Sequence, residues 1–119
     1  MGDPVVHFEI LGKDTAMLRD FYAKVFGWQM GERDANDPFD YSMVSTQSAD
    51  GGMLGGIGRA QQGDGAVTFY IQVDDLQAKL DQIAAAGGRT IAPPQQVGPT
   101  TTIAMFSDPE GHVLGLMKK

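Results

Sequence analysis

The sequence predicts an α+β fold of two βαβββ modules within a single domain, residues 1–119, divided near residues 60 and 61. Three observations carry this reading. A strand-like alternation followed by a helical stripe occurs twice, first over residues 5–26 and again over 66–86. Short extended segments set apart by Gly, Asp and Pro follow each helix. The 119 residues, 42% of them hydrophobic, suffice for one domain with its own core. Two copies at a period of roughly sixty residues are too few for a solenoid, which stacks at least three units, and so suggest paired modules.

The elements follow in order. Alternation predicts a strand over 5–11, and Asp14 is placed to cap a helix beginning near Thr15. Leu18, Phe21, Tyr22, Val25 and Phe26 recur every three or four residues as one apolar stripe. Gly27 is suited to end that helix in a left-handed conformation. Strands are expected over 28–33, 41–46 and 55–59, separated by Asp34-Ala35-Asn36-Asp37-Pro38 and Ser48-Ala49-Asp50-Gly51-Gly52. In the second copy a strand over 66–73 leads to a cap at Asp74 or Asp75 and a helix to about Ala86, with Leu76, Leu80 and Ile83 as its stripe. Strands over 89–92, 101–107 and 112–117 complete it, the last two joined by the tight turn Asp108-Pro109-Glu110-Gly111.

Composition narrows the function. The net charge of −6, with nine scattered Lys and Arg residues, argues against a surface that tracks phosphates, so nucleic acid is not an expected partner. No apolar run approaches the roughly 18 residues of a membrane span. The acidic start Met1-Gly2-Asp3 lacks a basic leader, which makes the cytoplasm the expected address. The absence of Cys removes disulfides, thiolate metal sites and thiol nucleophiles together. Any metal would have to be held by His and carboxylates.

Candidate functional residues come from strand phase. Side chains alternate across a sheet, so Val6, Phe8 and Ile10 share the helix-facing side of the first strand, while His7 and Glu9 share the other. In the second copy Val67, Phe69, Ile71 and Val73 take the helix side, leaving Thr68, Tyr70 and Gln72 opposite. A flat sheet would show this second face to water. A strongly curved one would gather His7, Glu9, Thr68, Tyr70 and Gln72 into a cup with a few polar groups in an apolar lining.

The segments HFEI, FYAKVFGW, VTFYIQVDDLQAKLDQIAAAGG and FSDPEGHVLGL together resemble the glyoxalase/bleomycin-resistance family of the vicinal oxygen chelate superfamily. The resemblance covers essentially the whole chain. It implies curved mixed sheets around a cup-shaped cavity, and a family that includes glyoxalases, dioxygenases and non-catalytic sequestering proteins. It also implies metal ligands on the first strand of each module and on later strands. His7 stands at the first such position, Thr68 at the second, Met53-Leu54-Gly55-Gly56-Ile57 near the third and Gly115 at the fourth. One imidazole does not hold a divalent ion, since stable sites need three or four donors. No metal and no other cofactor is therefore expected.

His7 and Glu9, about 7 Å apart along one strand face, suit acid–base work or the grip of a polar ligand. The expected function is small-molecule binding with an incomplete family metal site. The alternative is a lyase, isomerase or dioxygenase acting on a small metabolite, either metal-free through His7 and Glu9 or with unrecognised ligands. His112 is expected to be structural, Tyr22 and Trp28 to pack between helix and sheet, and Gly55 and Gly56 to mark a turn or a close approach. Exposed sheet edges and the resemblance both imply a homodimer.

Overall fold

A computed structural model describes residues 2–33 and 36–119; Met1 and the expected turn residues Asp34 and Ala35 lie outside them. The chain runs β1 (Val5–Gly12), α1 (Thr15–Phe26), β2 (Gln29–Met30), β3 (Ser42–Ser45), β4 (Leu54–Arg59), β5 (Ala66–Val73), α2 (Leu76–Ala85), β6 (Arg89–Gln96), β7 (Thr102–Ser107) and β8 (Val113–Lys118). This is the βαβββ pattern twice, in an α+β fold.

Both helices start where a side chain satisfies an orphan backbone donor. The Met17 N–H donates to Asp14 across 3.0 Å, and the Ala78 N–H to Asp75 across 3.0 Å. Gly27 closes α1 at φ 72°, a conformation that any Cβ would penalise, and its N–H donates to the Ala23 carbonyl.

The described residues fall into two compact units, one from His7 to Val67 and one combining the chain up to Val6 with Thr68 onward. In the first, the strand order is β2-β3-β4-β1, with β1 parallel to β4 and the other pairs antiparallel. Ile10, Val44 and Ile57 form its core, and Phe8, Leu18, Tyr22, Trp28 and Met30 pack against them. Tyr22 stacks on Trp28 at 4.9 Å and Phe8 tilts against it at 5.3 Å, the helix–sheet packing that the stripe predicts. Phe21, Val25 and Phe26, in contrast, are more than half exposed. The stripe is thus wider than the sheet beneath it, and only its Leu18–Tyr22 side is covered.

In the second unit the order is β5-β8-β7-β6, with β5 parallel to β8. Val73, Leu76, Leu80, Ala104, Phe106 and Leu116 form its core. Leu80 is 1% exposed, and burying such a side chain is worth about 1.5–3 kcal/mol.

Two expectations need correction. Strand phase puts Val67 and Phe69 on the helix side of their strand, yet they are 76% and 38% exposed. Helix α2 packs on β6, β7 and β8, and its core takes in only Ile71 and Val73 at the far end of β5. Strand β6 continues to Gln96 rather than stopping at Ala92, in spite of Pro93 and Pro94. Among the described residues it pairs only with β7, and register shifts at Thr90/Ala92 and Ala92/Gln95 absorb the missing donors, as an edge strand allows.

Candidate functional site

Strand register decides which residues share a face. Glu9 lies opposite Gly56 and Leu11 opposite Gly58 across the β1–β4 pair, while Met43 of β3 lies opposite Gly56. One face of the first unit therefore carries His7, Glu9, Met43, Leu54, Gly56 and Gly58; the other carries Phe8, Ile10, Val44 and Ile57, which form the core.

On the polar face His7 is 8% exposed. Its Nε2 lies 2.7 Å from the Tyr41 hydroxyl. The hydroxyl donates to the imidazole in one ring tautomer and accepts from it in the other. Burial pushes the His7 pKa below the ordinary imidazole value of 6.5, so the ring is neutral near pH 7. Glu9, half-buried two residues along, shares this face.

Tyr41 reaches His7 because β4 has no side chains in its way. A Cβ built on Gly56 would fall within the Tyr41 ring, and one on Gly58 would stand 2.7 Å from Tyr41 Cδ2. Gly55 plays the same part on the core face, where a Cβ would strike the Phe8 ring. The glycine-rich stretch is a close-approach surface on both sides.

The residue before Tyr41 anchors it. Asp40 is fully buried, and Arg33 donates to both its carboxylate oxygens at 2.9–3.0 Å. Arg59 reaches the same carboxylate at 3.4 Å, and the Thr15 hydroxyl at the head of α1 donates to it. The Arg33 hydrogen bonds first, then that of Thr15, hold the Asp40 carboxyl at a pKa of about 2 against a burial effect that works the other way. The expected strand over 28–33 is cut to Gln29–Met30, and Arg33 beyond it turns to this carboxylate.

The remaining sequence candidates lie in the other unit. Tyr70 is buried opposite Gly115, and a Cβ on that glycine would strike its ring, which repeats the Tyr41–Gly56 device. Thr68 donates its hydroxyl to the Val113 carbonyl at 2.9 Å. Gln72 is half-buried on the same strand phase, its backbone N–H donating to the Pro4 carbonyl. The structure thus brings His7 and Glu9 together in one unit and Thr68, Tyr70 and Gln72 together in the other. His112 stands exposed at the mouth of the β7–β8 hairpin, its Nδ1 2.8 Å from Asp108 Oδ2. This bond and the His112 backbone N–H hold the Asp108 carboxyl below its usual range.

The family model described as the Glyoxalase/Bleomycin resistance protein/Dioxygenase superfamily matches residues 5–116. The chain belongs to this superfamily. A probable lactoylglutathione lyase of Vibrio cholerae is 30% identical over 96% of this chain and 89% of its own length. A putative glyoxylase of Mycobacterium tuberculosis is 28% identical over 87% of this chain and 41% of its own. Among solved structures, Streptomyces coelicolor methylmalonyl-CoA epimerase in complex with 2-nitronate-propionyl-CoA superposes with TM-score 0.73 at 16% identity, over 98% of this chain and 94% of that one. The Mycobacterium tuberculosis epimerase gives 0.69 at 13%, over 96% and 86%. These two likenesses are likenesses of fold.

The superfamily implies a divalent metal, and the donors of this member do not fit one. Among the described residues no three His, Cys, Asp or Glu side chains are grouped as a metal site would need. Gly115 faces the Tyr70 ring and Gly56 the Tyr41 ring, so a ligating side chain at either position would have to displace an aromatic one. Thr68 gives its hydroxyl proton to a carbonyl.

Sequence reasoning missed Tyr41 and Asp40. The signal available for Tyr41 was its strand phase with Met43, facing a strand that alternates glycine at 56 and 58. For Asp40 no local pattern exists, because its partners are scattered between Thr15 and Arg59.

The sign of the pH dependence follows. Between pH 6.5 and the lower folded pKa of His7 the unfolded chain binds more protons, so stability is full above about 6.5 and falls as the pH drops through that window. Asp40 adds a second loss in the same direction, from about pH 3.8 toward 2, joined by Asp108. Urea denaturation between pH 8 and 2 should show both limbs, and His7→Gln should abolish only the upper one. A stability curve flat from pH 8 to 5 in the wild type would contradict the burial of a neutral His7.

Proposed function

We propose that this superfamily member binds a small polar metabolite at the face formed by His7, Glu9 and Tyr41, with no divalent ion in the grip. The observation that carries this reading is the 2.7 Å contact between His7 Nε2 and the Tyr41 hydroxyl. A phenol and a neutral imidazole in one hydrogen bond can each donate or accept toward a ligand carbonyl or hydroxyl, and the Glu9 carboxylate adds an acceptor. Met43 and Leu54, 50% and 44% exposed on the same face, supply apolar surface beside these polar groups.

A second reading is lyase or isomerase chemistry on the same groups, favoured by the relationship to a protein named as a lactoylglutathione lyase. His7 would then take a proton as base and Tyr41 give its own as acid, and transfer from the imidazolium to the phenolate across their hydrogen bond would restore both groups. The two readings share a test. Thermal-shift screening with lactoylglutathione, methylmalonyl-CoA and a set of small oxo- and hydroxy-acids should find a ligand that raises the apparent midpoint by mass action. Tyr41→Phe and Glu9→Gln should each weaken that ligand about 5- to 100-fold, the equivalent of about 1–3 kcal/mol for one lost hydrogen bond; Glu9→Gln should keep the unliganded midpoint near wild type, whereas Tyr41→Phe should lower it, because the buried His7 ring loses its partner. Turnover of the ligand would favour the enzyme. Unchanged affinity in both variants would remove this face from function.

The reading also takes the protein as a cytoplasmic homodimer. Among the described residues no helix is long and apolar enough to cross a membrane. Met17, Phe21 and Val25, spaced four apart along α1, leave an apolar stripe 62%, 51% and 56% exposed, a surface that a second subunit would cover. Light scattering should give twice the chain mass, 12.7 kDa per chain, at micromolar concentration, and a monomer there would refute the dimer.

A further inference from the structure

We propose that Asp40 is a positioning residue for the His7–Tyr41 pair: the partners that grip its buried carboxylate fix the backbone from which Tyr41 reaches the imidazole. The inference rests on the site proposed above, and it assigns that site a support that none of its own side chains supplies.

Three observations carry it. First, Asp40 is the only non-glycine among the described residues with positive φ, at 41°. An L residue adopts that conformation at a cost and holds it where its surroundings impose it. Here Arg33, Arg59 and Thr15 impose it by gripping the carboxylate from three separate segments. Second, the backbone on both sides of Asp40 is tied to β4. The Arg59 N–H donates to the Phe39 carbonyl at 2.6 Å, and Ser42 pairs with Ile57. Tyr41 therefore leaves a chain whose direction is set immediately before and after it. Third, the direction so set lays the Tyr41 ring over Gly56 and Gly58 and ends its hydroxyl at His7 Nε2.

A carboxylate that served only to clasp the loop would matter to stability and leave the imidazole alone. A positioning residue must move the His7–Tyr41 contact when it is altered.

The test uses the full chain without a ligand. The sequence contains two histidines, so His112→Gln assigns the imidazole nitrogen resonances of His7 directly. Nitrogen-15 spectra would be recorded for the wild type, Tyr41→Phe, Asp40→Asn and Arg33→Gln, with circular dichroism reporting the fold. Tyr41→Phe should shift the His7 Nε2 resonance, because the hydrogen bond is gone. Asp40→Asn, which keeps shape and loses charge, should shift it in the same direction by at least half as much while the fold is retained. Should Asp40→Asn fail to fold, Arg33→Gln, which leaves Arg59 and Thr15 on the carboxylate, should give the same direction of shift.

A folded Asp40→Asn whose His7 resonance stays at the wild-type position, beside a shifted Tyr41→Phe, overturns the role of Asp40 alone. With Asp40→Asn unfolded, an unshifted Arg33→Gln overturns it equally. A Tyr41→Phe spectrum identical to wild type removes the contact itself, and the proposed site and the role of Asp40 fall together.

Discussion

Three of the six residues of β4 are glycine, and this absence of side chains lets an aromatic ring close on each face of the strand. Phe8 settles over Gly55 on the core side and joins Trp28; Tyr41 settles over Gly56 and Gly58 on the other side and meets His7. Glycine inside a strand costs roughly 0.5–1 kcal/mol relative to Ala in lost chain freedom. Two half-buried rings packed against the backbone offset that cost, since apolar surface removed from water is worth roughly 25 cal/mol per Å². The same arrangement explains both the helix–sheet core and the polar face of this unit. A β-branched residue at 56, otherwise favoured in a strand, would leave Tyr41 no seat.

The charges are distributed so that the candidate site itself stays uncharged at its imidazole. His7 is held neutral by burial, whereas the fully buried carboxylate of the unit, Asp40, is neutralised by Arg33 and Arg59 and kept ionised. A buried charge survives only when paired and hydrogen-bonded, and here the pairing draws together the start of α1, the segment after β2 and the end of β4. Chemistry at such a face relies on hydrogen bonds from neutral groups, with Glu9 as the nearby carboxylate. The second unit repeats the aromatic-on-glycine device with Tyr70 and Gly115, so a ring fills the fourth position at which the resemblance places a metal ligand, as the Tyr41 ring covers part of the stretch 53–57 near the third.

Much of the fold was legible because its determinants are local. Asp14 and Asp75 cap helices three residues away, Gly27 closes a helix on itself, and the α2 stripe Leu76, Leu80 and Ile83 packs as its spacing requires. What was not legible depends on separation along the chain. Tyr41 lies 34 residues from His7, and Asp40 takes partners 25, 7 and 19 residues away, so no short window contains either the His7–Tyr41 contact or the full set of Asp40 partners. Periodicity also cannot say how far a helix extends over a sheet, which is why Val67, Phe69 and the Phe21–Phe26 side of α1 read as core and are exposed. The His7 and Glu9 alternation was readable as a shared face; the group that meets His7 on it was not.

The central claim, that glycine at 56 exists to seat Tyr41 against His7, is most directly tested by a double-mutant cycle of Gly56→Ala and Tyr41→Ala in equilibrium urea denaturation. The account predicts coupling: Gly56→Ala should destabilise the chain with Tyr41 present and cost at least about 1 kcal/mol less once the ring is gone, within the usual range for residues in contact. Additivity of the two substitutions to within about 0.5 kcal/mol would contradict it.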